Sequence, residues 1–516
     1  MFDLGRTFLQ SVERSPHATA LVDDEVRLSY QQWHNRIMAI AGAFQHLGLK
    51  KGDHLLVVMQ NRWQMATIHW ATQFLGIVII PLNWRAKADE VAYCIADADI
   101  KAVCYEPLTA EAVVAATRPH PLLRIGVNGA EGADHDFDAL LQSAPFTDGP
   151  QASAQDMSLM LYTSGTTGKP KGVPRRHRQE RAAALAHVAQ NLYARGEVTL
   201  GVMPLYHTMG VRSLLAMALI DGCFVCLPKF DVGLALALIE QERVSNLYLV
   251  PTLYHDMLNH PDFARRDHSS VTKLGYAGAS MSDGLLSKLQ AQFQPELFVN
   301  HYGSSEVYTF TITQDAVSKA GSAGKAGINT RIKVVKLGSN SPDTLATPGE
   351  EGEIIADLQG DEAFEGYWRR PDADAKTLKQ GWYFTGDIGY QDKEGDLFVT
   401  GRIDDMIISG GENISPVDIE SILSLHPCVD EVAVAGIQDE RWGKKVVAFI
   451  KRKDNTSAEA LDHYCRDTDL ANYKRPRDYV FVAEIPKSPV GKILRHKLVS
   501  GEYQLEHSLP SEGDPQ

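Results

Sequence analysis

Cysteine is scarce in this chain. Six residues scattered over 516 provide no disulfide framework, so a reducing cytoplasm is the expected setting. Long apolar runs are missing as well: the strongest, such as residues 76–82, are far too short to cross a bilayer. The start, MFDLGRTFLQSVERSPH, has no basic region ahead of an apolar stretch. A soluble, unexported chain with no membrane insertion is the expectation. Positive charge is in deficit, with 51 Lys and Arg against 65 Asp and Glu and a net charge of −14, which argues against a nucleic-acid partner. Internal repeats and low-complexity tracts are absent. What remains is an ordinary globular composition, 44% hydrophobic and 22% charged, at a length beyond what one core holds, so at least two domains are expected.

Cys223 and Cys226 have the CxxC spacing of redox and zinc sites. The surrounding GCFVCLPKF reads instead as a short buried strand, in which residues three apart point to opposite faces. No second Cys/His pair stands nearby to complete a tetrahedral site.

Apolar, β-rich runs at 53–59, 76–81, 200–203, 223–227 and 246–250 alternate with segments of helical period at 31–47, 181–193 and 283–293. Interleaving of that kind predicts an α/β domain with largely parallel sheets. After about residue 325 the texture changes to shorter strands with Gly and Pro turns, at 352–358 and 395–400, which favours an antiparallel module. From residue 403 a compact α+β stretch follows, with a helix at 415–424 and strands at 431–437, 445–451 and 478–482. The expected organisation is a large domain over 1–402, carrying a β-rich subdomain, and a small mobile domain over 403–516. The tail from residue 501 is expected to be poorly ordered.

The most informative segment is LYTSGTTGKPKGV, residues 161–173. It follows an apolar strand and sets Thr163, Ser164, Thr166 and Thr167 around Gly165 and Gly168. Small residues let backbone N–H groups approach a phosphate, hydroxyls add donors, and Lys169 and Lys171 add positive charge. The pattern is a polyphosphate cradle, distinct from the common P-loop because Gly168-Lys169 is followed by Pro170 in place of Ser or Thr.

YTSGTTGKPKG resembles the signature loop of the adenylate-forming superfamily, which comprises acyl- and aryl-CoA synthetases, peptide-synthetase adenylation domains and firefly luciferase. Four further segments fit in the family's order: HYGSSE (301–306), WYFTGDIG (382–389), GRIDDMIISGGENISPVDIE (401–420) and PKSPVGKILR (486–495). Within the superfamily MPLYH, DDMIISGGENI, RWG and YKRP look most like the 4-chlorobenzoate-CoA ligase group. The resemblance implies an ATP-dependent carboxylate-CoA ligase that forms an acyl-adenylate and then a thioester.

The same resemblance implies roles. Thr163, Ser164, Gly165, Thr166, Thr167, Gly168 and Lys171 hold the β- and γ-phosphates of ATP, with Thr166 at the reacting end, and Glu306 places Mg²⁺. Tyr302 faces the adenine, and Asp387 with Arg402 meets the ribose hydroxyls. Lys492 bridges the substrate carboxylate and the α-phosphate as a mobile point charge. His207 stands at the carboxylate entrance. Asp404 is the hinge about which the small domain rotates. Gly410 and Gly411 let the pantetheine arm of coenzyme A pass, while Trp442, Tyr473, Arg475 and Arg477, joined by Arg85, form its nucleotide surface. Singly, each of these charges reads as a solvated side chain; five ordered motifs change that reading.

By the same resemblance the acyl slot is lined by His207, Thr208, Met209, Gly210, Tyr248, Gly278, Ala279, Gly303 and 307–309, with Val307 and Tyr308 prominent. Its bulk suits a small aromatic or cyclic acid. Thr208, Arg212 and Tyr308 are more polar than a halogen pocket needs; Arg212 is read as a helix-surface arginine, with pairing to a polar or anionic substituent as the lesser alternative. Short- or medium-chain acyl-CoA synthesis, transfer to a carrier protein, luciferase-like oxygenation and silent nucleotide binding are the alternatives. The expected partners are a small carboxylic acid and CoA, with a homodimer left open as the assembly.

Overall fold

A computed structural model of the chain describes residues 2–163, 170–410, 412–468, 470–487 and 493–506. Two sheets enclose a layer of helices. The first, of seven strands, runs parallel through His135–Asp136, Leu123–Gly126, Ala102–Tyr105, His54–Val58, Val78–Leu82 and Met157–Thr163, and closes with the antiparallel edge strand Lys171–Arg176. His54–Val58 and Val78–Leu82 are buried at every residue, as strands covered on both faces must be.

The second sheet has fourteen strands and two textures. Thr19–Asp23, Cys223–Cys226, Val198–Gly201, Asn246–Leu249, Lys273–Tyr276 and Leu297–Tyr302 are parallel. From Leu297–Tyr302 outward, through Thr311–Thr313 and Ser322–Ala326 to Leu397–Arg402, Trp382–Gln391 and Gly352–Asp357, every pairing is antiparallel. The β-rich segment after residue 325 is therefore the continuation of the parallel sheet. The fold is α/β in its large part, with an α+β C-terminal lobe.

Between the sheets lies the Trp63–Leu75 helix, buried at every position, which is what a helix covered on all sides requires. Its Phe74 and Trp70 pack with Trp33 and Phe44 of the Tyr30–His46 helix, with Leu55 of one sheet, and with Phe224 of the other. Ser29 and Gln32 form a capping box that starts the Tyr30–His46 helix. The helix expected at 181–193 spans His177–Gln190. It starts early because the Arg176 amide N–H donates to the Gln179 side chain at 2.7 Å, and it ends where Leu192 takes a positive φ of 50°. Cys223 and Cys226 are buried within their strand. No described helix is long and apolar enough to cross a membrane.

The strand Leu397–Arg402 ends the large sheet's share of the chain, and the next strand, Ile407–Ser409, belongs to a separate five-stranded sheet with Glu412–Ile414, Gly443–Arg452, Val429–Asp439 and Asp478–Phe481. Residues 501–506, expected to be poorly ordered, are tied back onto this lobe. Ala483 N–H donates to the Gln504 carbonyl at 2.9 Å, and Arg452 reaches Glu506 at 2.6 Å. Residues 507–516 lie outside the described residues.

The C-terminal lobe meets the rest at a charged seam. Nε2 of His255, on the Pro251–Asn259 helix, lies 3.2 Å from Asp430 at the start of the long strand Val429–Asp439, and Lys451 reaches the same carboxylate at 3.2 Å. Asp256 and then Asp430 push the His255 imidazole up to about 9 against its burial, with Glu431 adding in the same direction. His255 first, and Lys451 beside it, hold Asp430 down to about 2. A histidine raised in this way contributes fully below its unfolded value near 6.5, and the contribution disappears as pH rises through about 9. We expect the wild type to exceed His255→Gln in stability by on the order of 1 kcal/mol at pH 6, with the gap closing by pH 10. Paired thermal unfolding across that range checks it; a gap independent of pH would remove the electrostatic role.

Candidate active site

Four neighbouring parallel strands, Val198–Gly201, Asn246–Leu249, Lys273–Tyr276 and Leu297–Tyr302, finish on one side of the large sheet. Ligands in open parallel sheets gather at the carboxyl ends of strands. The expected acyl-slot residues follow these ends: His207 and Thr208 after the first, Tyr248 near the end of the second, Gly278 and Ala279 after the third, and Gly303 after the fourth. Gly278, Ala279 and Gly303 are exposed, His207 is half-buried, and Thr208, Met209, Gly210, Tyr248, Val307 and Tyr308 are buried.

His207 caps the Thr208–Leu219 helix. Its Nδ1 accepts from the Met209 amide at 3.3 Å, which puts the ring proton on Nε2. Gly303 closes the tight turn that carries Glu306: a Cβ there would fall 2.0 Å from the Tyr308 carbonyl oxygen, so only glycine fits.

Glu306 is 7% exposed, and its Oε1 accepts from the Tyr367 hydroxyl at 2.6 Å. Lys171 Nζ lies 4.1 Å from the centre of the same tyrosine ring. Burial pulls the Lys171 ammonium down, with Glu306 working the other way. One tyrosine thus carries a cation on its face and a carboxylate at its tip. Thr163 and Lys171 are cross-strand partners at the base of the signature loop. Ser164, Gly165, Thr166, Thr167, Gly168 and Lys169 lie outside the described residues, as do Gly411 and Lys492.

Asp387 and Arg402 are also cross-strand partners, with Arg402 Nε 3.3 Å from Oδ1, and the Tyr302 hydroxyl donates to Oδ2 at 2.5 Å. Arg402 donates to the Thr385 carbonyl at 3.2 Å as well. Tyr302 packs on Phe310 with ring centres 5.1 Å apart. The residues that resemblance grouped around a nucleoside are thus together in space, next to the Glu306 turn.

The AMP-binding enzyme pattern matches residues 8–368, and the AMP-binding enzyme C-terminal domain pattern matches residues 418–492. The chain belongs to the AMP-binding enzyme family. It is 32% identical to a 4-chlorobenzoate–CoA ligase of Arthrobacter sp, with 96% of this chain and 94% of that protein covered. It is equally 32% identical to the long-chain-fatty-acid–CoA ligase FadD13 of Mycobacterium tuberculosis, with 96% and 97% covered. Among solved structures it is similar to the o-succinylbenzoate CoA synthetase of Bacillus subtilis in complex with its acyl-adenylate intermediate (TM-score 0.83, 26% identity, 95% and 97% covered). The chain is an AMP-forming acid–CoA ligase.

On the C-terminal lobe of this ligase, Gly410 N–H donates to the Trp442 carbonyl at 2.9 Å, and the Arg477 guanidinium stands 5.3 Å from the Trp442 ring centre. Tyr473 is 46% exposed. The Arg475 guanidinium instead meets Asp462 at 2.7 Å and Asn472 at 3.1 Å. Its place two residues from Arg477 did not distinguish the two. Arg85 lies over Trp84 at 3.8 Å, beside a cavity of about 80 Å³ shared with Met203, Lys229, Phe230 and Val250. Asp404 is exposed, in the turn between the last strand of the large sheet and the first of the small one.

Arg212 is a correction. It is 2% exposed, not on a helix surface, and it donates to the Thr309 hydroxyl at 2.8 Å and to Tyr248. Residues 208–218 of the Thr208–Leu219 helix are all buried, so the helix presents no surface face at Arg212. Sequence reasoning also missed Arg175, Glu180, Glu362 and Tyr367. Arg175 is 0% exposed; its Nε pairs with Glu180 at 2.9 Å, and its Nη1 donates to the carbonyls of Glu306 at 3.1 Å and Glu362 at 2.6 Å. In PRRHRQE nothing marks it off from its charged neighbours. Tyr367, within GYWRRP, has no signal in its surroundings either.

No cluster of three or more His, Cys, Asp or Glu side chains among the described residues is arranged to hold a metal. A site of one carboxylate, Glu306, suits Mg²⁺ completed by substrate phosphates, which this hard cation takes with one or two protein oxygens.

Removing the Tyr367 hydroxyl should disturb Glu306 without emptying the core. We expect Tyr367→Phe to lower the efficiency of adenylate formation about tenfold, as for a hydrogen bond to a charged group, and to raise the Mg²⁺ concentration needed for half-maximal rate. Pyrophosphate release titrated with Mg²⁺ is the measurement, and an unchanged Mg²⁺ dependence would separate Tyr367 from the metal position.

Proposed function

We propose that this ligase activates a small ring carboxylic acid with ATP and passes the acyl group to coenzyme A. The bulk at the positions assigned to the acyl slot supports the reading: Tyr248 at 2%, Tyr308 at 3% and Met209 at 2% exposure are all buried, and bulky side chains there suit a ring better than an extended chain. Overall identity does not choose, since the aryl and the long-chain relatives stand at the same 32%.

The chain's residues have separable tasks. The loop from Thr163 to Lys171 holds the β- and γ-phosphates, and Thr166 within it takes part in catalysis. Tyr302 takes the adenine, and Asp387 with Arg402 the ribose. Glu306 would hold Mg²⁺, which supplies charge neutralisation on the phosphates. The Nε2–H of His207 orients the acid's carboxylate. One carboxylate oxygen then bonds to the α-phosphorus as the bond to pyrophosphate breaks, and Lys492 spreads its charge over both partners. The 403–516 domain turns about Asp404, and the thiolate of CoA attacks the acyl carbonyl and releases AMP. Gly410, Gly411, Trp442, Arg477 and Arg85 guide the incoming arm. A reducing, cytoplasmic setting is in keeping with six unpaired thiols.

Benzoate-sized acids should outperform dodecanoate by at least about tenfold in kcat/KM, roughly 1.4 kcal/mol of discrimination. Pyrophosphate release across a panel of acids tests this, and equal rates for dodecanoate would overturn the slot assignment.

Lys492→Ala should slow adenylate formation by about two to four orders of magnitude while ATP binding changes little. Given synthetic acyl-adenylate, the variant should form thioester at near wild-type rate. Single-turnover measurement of the two steps decides; an equal defect in both would count against domain alternation.

A further inference from the structure

Arg212 lies four residues after Thr208 on the Thr208–Leu219 helix, so the two share a face, with the guanidinium about one turn deeper than the entrance. A buried arginine normally meets a carboxylate. Arg175 does so, through Glu180. Among the described residues Arg212 instead donates to neutral oxygens: the hydroxyls of Thr309 at 2.8 Å and Tyr248, and the Tyr308 carbonyl at 3.4 Å. Its Nε is buried and has no hydrogen-bond partner among the described residues.

Among the described residues no carboxylate makes an ion pair with Arg212; Glu362 feels its field, which lowers that carboxyl, but burial outweighs it and pushes the carboxyl upward. His187 and His301, which flank the Tyr248 ring at 4.7 and 5.2 Å, are both driven toward their neutral forms by burial. A fixed cation with an unused donor therefore sits at the deep end of the proposed acyl slot, beside a phenol hydroxyl.

We propose that Arg212, with Tyr248, reads an oxygen-bearing substituent at the far end of the acid substrate: a hydroxyl, a carbonyl or a second carboxylate. This rests on the ligase reading of the slot and narrows its substrate class. Guanidinium is a donor only, so it rewards an acceptor. A plain or halogenated ring would leave Nε unpaired, and sites built to hydrogen-bond discriminate strongly against analogues lacking the partner.

The test compares kcat/KM for pyrophosphate release with benzoate, 4-chlorobenzoate, the three hydroxybenzoates and the three benzenedicarboxylates, using wild type and Arg212→Met. In the wild type, the best oxygen-bearing isomer should exceed both benzoate and 4-chlorobenzoate by at least tenfold. Its position and charge tell a neutral acceptor from an anionic one. In Arg212→Met that ratio should fall to near one or invert, with the KM for ATP unchanged. Tyr248→Phe, which keeps the ring, should reduce the same ratio and serves if the first variant does not fold. A wild type that prefers the unsubstituted or halogenated ring would overturn the proposal. So would variants that lose activity equally toward every acid, because a structural brace does not change a ratio. Failure of the wild type to release pyrophosphate with any acid would instead remove the ligase reading beneath it.

Discussion

A single buried guanidinium joins the two halves of the proposed nucleotide site. Arg175 stands in the edge strand that leaves the phosphate loop, yet its hydrogen bonds go to the backbone of Glu306 and Glu362, far along the chain in the other sheet's territory. Its plane lies over Tyr308 at 3.9 Å, and Tyr308 in turn donates to Glu180 at 3.1 Å, closing a ring of contacts around the Arg175–Glu180 pair. Burying a charge is costly unless it is paired and hydrogen-bonded, so this cluster favours the relative position of the sheets that keeps its contacts. The spacing between Lys171 and Glu306 follows from that constraint.

The same economy appears at Tyr367, whose ring and hydroxyl meet Lys171 and Glu306 at once. Opposite charges thus meet one aromatic ring in different ways, the cation on its face and the carboxylate at its hydroxyl. Around the nucleoside side the device is an antiparallel register: Asp387 and Arg402 face each other because their strands pair. Arg402 also ends the strand Leu397–Arg402 of the large sheet, so the proposed ribose position and the proposed hinge hang on one strand.

How much of this is readable from sequence depends on distance along the chain. Glu306, Asp387 and Arg402 lie in short motifs whose turns are local, and the structure gathers them. The helix at 283–293 and the strands at 223–226 and 246–249 follow apolar periodicity and fall within a residue of expectation. Arg175 and Arg212 were opaque for the opposite reason. Their burial is created by partners 131 and 97 residues away, while their immediate neighbours look like a solvated strand and a helix surface. Arg475 and Arg477 show the converse, identical locally and separated only by what each meets. The joining of parallel and antiparallel textures into one sheet was likewise hidden, because the linking strand Thr311–Thr313 is three residues long and carries no pattern of its own.

The hairpin base at Thr163 and Lys171 has a further consequence. Two strands hold its feet in register, so the position from which the loop departs is a property of the scaffold, and the chemistry it delivers is a property of its tip. The backbone pairing of these two residues therefore sets where the chain leaves and rejoins the sheet, whatever the loop between them binds.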